Sequence, residues 1–214
     1  MSRLGAFVAV VCLLLPAGAG PASARGKDSM EIKEGALDEI HLKVESIDKG
    51  VPVAIRTFST EGVDLGTGGK GAKNEQRADA TKTMVKVAPD MLTEAITKAI
   101  QEAKAFGEVL PPGTDPLPGN ALVIEGKFTK IDPGSRAKRY WAGFGAGKSG
   151  VGVEGTVKDA SGKVLAEFSH ARSSGIGVGG GDYVKFLSDD TKDVGHDIAT
   201  FLVKWATGGD LHED

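Results

Sequence analysis

Three patterns in this chain could do chemistry. Residues 142–149 end in Gly147-Lys148-Ser149 and fit the relaxed phosphate-binding loop, in which backbone N–H groups cradle phosphate and the lysine reaches it. Gly145, Gly147 and Gly150 fit G-x-G-x-x-G, and so do Gly150, Gly152 and Gly155. Both motifs need a strand before and a helix after, because free N–H groups at the helix N-terminus hold the phosphate. Here Arg136-Ala137-Lys138-Arg139 precedes and two-residue alternation follows. No nucleotide site is expected.

A metal could use Asp193, His196 and Asp197, with Asp189 and Asp190 nearby. The plainer reading is an acidic helix start, favoured by the macrodipole. His41, His170, His196 and His212 make no zinc motif. A serine nucleophile finds no support, since Gly147-Lys148-Ser149-Gly150-Val151 misplaces the second glycine of G-x-S-x-G. No catalytic residue and no cofactor is expected.

What remains is a cationic, aromatic loop. Arg136, Lys138, Arg139, Tyr140, Trp141, Phe144 and Lys148 gather within thirteen residues of a chain whose net charge is −3. Arginine holds carboxylate or phosphate through two parallel bonds. Tyrosine and tryptophan suit a surface with one dry and one wet side. These seven are the candidate partner-binding residues. In the competing reading the rings tuck under the sheet while the cations stay solvated.

The elements around this loop can be read from periodicity. Val151, Val153 and Val157 share one parity, with Glu154, Thr156 and Lys158 on the other, which predicts a half-buried strand. Residues 159–162 supply a turn, and Val164, Ala166 and Phe168 begin the return strand, with Leu165 out of phase. A four-residue turn would set Val157 opposite Val164, Gly155 opposite Ala166 and Val153 opposite Phe168. The small Gly155–Ala166 pair would leave a groove for a helix. Residues 51–59 predict the first core strand, 106–110 a short one and 121–131 another. Met84, Ala88, Leu92, Ile96 and Ile100 predict an amphipathic helix from about residue 78, kinked or restarted at Pro89. Val194, Ile198, Phe201, Leu202 and Trp205 predict a last helix over 188–205, closed by Gly208-Gly209. The fold class is α+β: a mostly antiparallel sheet, a long helix after the first core strand, and a C-terminal helix packed on it.

Residues 1–24 read as an export signal. Arg3 starts it, residues 4–15 are almost wholly apolar, and Ala22-Ser23-Ala24 is the cleavage site. Cys12, the single cysteine, follows Val10-Val11 rather than the small residues that lipidation needs, so it is not expected to be lipidated. Residues 25–50 then form a leader that joins the domain late, partly as an extended segment around 40–47. Residues 51–207 make one α+β domain and 208–214 a tail. The slight acidity argues against nucleic acid, and no transmembrane helix is expected in the mature chain.

Gly134-Ser135-Arg136, Arg139, the run Gly143-Phe144-Gly145-Ala146-Gly147-Lys148-Ser149 and the hairpin Gly162-Lys163-Val164-Leu165-Ala166-Glu167 resemble the bacterial envelope family called domain of unknown function 4410. The resemblance covers residues 51–205. It implies an exported protein, often a lipoprotein, and brings no catalytic residues. The expected function is a non-enzymatic binding or assembly protein of the periplasm or outer-membrane periphery. Its partner would be an envelope protein or an anionic envelope polymer or lipid. The alternatives are a metal-dependent envelope enzyme using Asp193 and His196, or a subunit of a secretion or assembly complex.

Overall fold

Alternating apolar residues build a sheet whose two faces differ. The computed structural model describes residues 30–66, 72–134, 150–173 and 182–212. The export signal at 1–24, all seven candidate binding residues and the glycine tract at 175–181 lie outside them. The strands are β1 (Met30–Lys33), β2 (Glu39–Leu42), β3 (Val53–Ile55), β4 (Val109–Leu110), β5 (Leu122–Asp132), β6 (Gly150–Asp159) and β7 (Val164–Arg172). Helix α1 spans Ala72–Ala103 and α2 spans Tyr183–Thr207. The strand order is β1-β2-β7-β6-β5-β3-β4.

One face carries Ile40, Ile124, Phe128, Val153, Val157, Ala166 and Phe168, all buried. The other carries Glu39, His41, Glu125, Lys127, Glu154 and Glu167, crossed by ion pairs such as Lys127–Glu154 at 3.0 Å and Lys43–Glu167 at 3.2 Å. Period-two patterning therefore decides which face the helices cover. On α1, Ala80, Met84, Ala88, Leu92, Ile96 and Ile100 recur every four residues and are all buried. The helix runs unbroken through Pro89. The proline's missing N–H costs one backbone bond, while Thr93 Oγ1 donates to the Pro89 carbonyl at 2.9 Å. Helix α2 begins five residues before its expected start, capped by Asp182, whose side chain accepts the Lys185 N–H at 3.0 Å. It ends at Gly208 with φ 74°, as the glycine pair implies.

Three expectations need correction. The sheet is mixed, because β3 lies parallel to both β4 and β5. The long crossover through α1 returns the chain to the starting end, which permits parallel pairing. In the β6–β7 hairpin, Lys158 pairs with Val164, but Val157 pairs with Ala166. Leu165 is the extra residue of a bulge, so Gly155 faces Phe168 and Val153 faces His170. The Gly155 groove is consequently filled by a ring, not by a helix. Finally, the segment before residue 51 supplies β1 and β2, and β2 pairs antiparallel with β7 from Glu39↔Ser169 to Leu42↔Ala166. Ile32, Leu37, Ile40 and Leu42 enter the common core. Leu211 joins them, and its carbonyl accepts the Ala36 N–H at 3.0 Å.

The two helices run parallel. Arg77 lies over the Tyr183 ring at 5.4 Å, Ser188 reaches Met84 Sδ at 3.5 Å, and Gly195 meets Ala95. At Gly195 an added Cβ would fall 2.6 Å from Ala95 Cβ. Glycine here sets how closely the helix axes approach.

Candidate functional site

The cationic loop is rooted at one end of the sheet. Asp132, the last residue of β5, pairs with Gly150, the first of β6, and Val151 pairs with Arg172 of β7. Residues 135–149 thus leave and return between adjacent strands. Two more glycine-rich segments start beside them. Gly66 (φ +65°) packs on the Asp132 carboxyl so closely that a Cβ there would overlap it, and residues 67–71 follow. Gly150 packs against the Arg172 carbonyl and Ser173, and residues 174–181 follow. The roots of three glycine-rich segments therefore form one contiguous edge: Gly66, Asp132, Gly150, Ser173.

Asp132 organises that edge. It is buried, and its Oδ1 accepts the Gly134 N–H at 2.7 Å. Next to it Asp64 accepts the Gly66 N–H at 2.9 Å, and the Asp64 carbonyl accepts the Ile131 N–H at 2.9 Å. These short-range carboxylate–amide bonds fix the directions in which both loops depart. Helix α2 climbs towards the same end: Phe201 packs on Phe168, while Asp197, one turn earlier, reaches Arg172. Its N-terminus lies further on in that direction. Because α1 is parallel to it, both positive dipole ends point the same way.

A polar chain centred on the buried ring of His170 lies under this end. His170 Nε2 is 2.8 Å from Asp197 Oδ2, and Arg172 Nε donates to the same oxygen at 2.5 Å. On the other side of the ring the Asp38 N–H donates to Nδ1 at 3.3 Å. The Asp38 carboxylate in turn accepts the Ala171 N–H at 2.7 Å. Burial pushes the Asp197 carboxyl upward, but the hydrogen bonds from His170 and Arg172 outweigh it and leave it below the ordinary carboxylate range.

The ligand set suggested by Asp193, His196 and Asp197 does not assemble. Asp197 faces the sheet, held by His170 and Arg172. Asp193 and His196 instead line a groove of about 520 Å³ between the helices, with Glu94, Lys98, Glu102 and Lys192. Positions i and i+4 on this helix thus serve different surroundings, which sequence spacing alone does not distinguish. A different cluster appears where no motif marked it. Glu31, Glu39 and His41 place ligand atoms within 4.8 Å of one another, since cross-strand pairing sets Glu31 opposite His41. Lys33 already holds Glu31 at 2.7 Å, and this bond lowers the Glu31 pKa. The register that creates the cluster was not readable from residues 31–41.

Among the described residues no helix is long and apolar enough to cross a membrane. The chain is similar in structure to the PelC dodecamer from Paraburkholderia phytofirmans, with 12% identity, a TM-score of 0.39, and coverage of 72% of this chain and 91% of that one. It is also similar to a Xanthomonas campestris protein assigned to family model DUF330, with 9% identity, a TM-score of 0.48, and coverage of 76% and 89%. None of the curated proteins matches the chain. The family model described as domain of unknown function DUF4410 matches residues 53–178, from β3 to beyond β7. The chain belongs to the DUF4410 family.

Proposed function

We propose that this protein is exported and acts without catalysis, binding an envelope protein or an anionic envelope polymer or lipid through residues 136–148. The observation that carries this reading is the shared edge formed by Gly66, Asp132, Gly150 and Ser173. A single rigid sheet end there launches three glycine-rich segments, and the central one holds Arg136, Lys138, Arg139, Tyr140, Trp141, Phe144 and Lys148. Binding residues carried on loops above a fixed scaffold are a common arrangement. The parallel helix dipoles add positive potential in the same direction, which favours an anionic partner.

The test is a triple substitution, Arg136→Ala, Arg139→Ala and Trp141→Ala, in the exported protein. Crosslinking in intact cells followed by fractionation is expected to show wild-type protein captured with its envelope partner and the variant released. Unchanged capture by a folded variant would remove the loop from the binding surface. Material retained inside the cell would contradict export itself.

A further inference from the structure

We propose that His170 is a proton-operated coupling between the β1–β2 hairpin and the loop-bearing end of the sheet. The ring is 7% exposed and joins three separate parts of the chain. It belongs to β7, Asp197 comes from α2, and Asp38 lies just before β2.

Both ring nitrogens are committed. The backbone N–H of Asp38 can only donate, so Nδ1 accepts and carries no proton. The ring's single proton then sits on Nε2, donating to Asp197 Oδ2 at 2.8 Å. A second proton must go to Nδ1. Two N–H groups would then oppose each other across 3.3 Å, and the Asp38 amide would lose its acceptor.

A replacement acceptor stands beside it. Asp38 Oδ2 is 3.5 Å from Nδ1 and accepts the Ala171 N–H. The protonated ring therefore exchanges a backbone anchor for a carboxylate anchor on the same residue. The charged groups around the ring are Asp38 from the β1–β2 turn, Asp197 from α2, and Arg172 from β7 acting through Asp197. The exchange draws on the oxygen that Ala171 uses. Ala171 directly precedes Arg172, which pairs with Val151 at the loop root. Protonation at one buried ring thus reaches both the N-terminal hairpin and the edge that launches residues 135–149. This coupling does not depend on what the loop binds.

The experiment is NMR of the mature protein from pH 8 to pH 5. Ring nitrogen shifts report the tautomer and its titration, and amide exchange is corrected for intrinsic rates. The neutral ring is expected to show a proton on Nε2. As Nδ1 is protonated, Asp38 amide protection is expected to fall about tenfold, following the ring's own curve, as the loss of one hydrogen bond implies. Asp38→Asn keeps the backbone donor but removes the charged anchor. In that variant the hairpin amides of 30–42 should lose protection on acidification, while in the wild type the hairpin stays anchored and the response is carried by Asp38, Ala171 and the loop-root pair Val151 and Arg172. A ring that stays neutral down to pH 5, a proton on Nδ1 at pH 8, or Asp38 protection indifferent to ring titration would each overturn the proposal.

Discussion

The ring of Phe168 fills the space that a side chain on Gly155 would need. A Cβ built at Gly155 would lie 2.5 Å from Phe168 Cζ and 2.9 Å from the Glu125 carbonyl. Phe168 cannot retreat, because Phe201 packs against it with ring centroids 6.1 Å apart, and Phe201 stacks on Trp205 at 5.5 Å. Gly155→Val is expected to destabilise the protein by about 2 kcal/mol through overpacking. Urea unfolding measures it, with a lowered midpoint and an unchanged slope.

Asp197→Asn removes the charged acceptor shared by His170 and Arg172. The expected loss is about 2 kcal/mol near neutral pH, as for hydrogen bonds to a charged group. The Asp197 carboxyl titrates lower in the folded than in the unfolded state. Its contribution is therefore present above the ordinary carboxylate pKa and fades only as pH falls through the lower folded value. Thermal melts of wild type and variant should stay apart above about pH 4 and draw together progressively as pH falls below it.

Trp205→Phe keeps the stack on Phe201 but removes the indole N–H that donates to the Glu45 carbonyl at 3.1 Å. A loss of about 1 kcal/mol is expected. Amide exchange should rise around residues 44–47, since that bond ties the segment after β2 to the end of α2.

Leu211→Ala tests whether the chain beyond α2 is structural. Leu211 is buried, and its carbonyl holds the Ala36 amide. A cost of about 2 kcal/mol is expected, at the low end for leucine truncation because the site lies near the surface. Midpoints like those of the wild type would show the 208–212 segment to be dispensable.

Long, regular patterns were readable in advance. The four-residue stripe of α1 and the valine alternation of β6 both rest on burial of one face, and burial is what periodicity records. Short charged strands were not readable. In β1 the sequence Met30-Glu31-Ile32-Lys33 buries only Ile32. Its place in the sheet depends on pairing with β2, which residues 30–33 do not encode alone. The direction of β3 was hidden for a similar reason, because parallel and antiparallel partners favour the same side chains. Leu165 was visible as a break in phase, but only the observed pairing identifies that break as a bulge. Helical spacing groups Asp197 with Asp193 and His196, and only the packing on β7 shows that it turns away from them to His170 and Arg172. The 136–148 cluster stands out by residue type alone, and its placement rests on the strands that flank it.

The far end of the β6–β7 hairpin has a practical use. Gly162 (φ +88°) sits in its turn with nothing within 4 Å of a built Cβ. The ten residues of β6 separate this turn from Gly150 by roughly 30 Å. A fluorophore or affinity tag spliced in after Ser161 would ride on the pole opposite the loop roots at Asp132 and Gly150, giving a handle for testing the proposed partner capture without masking that edge.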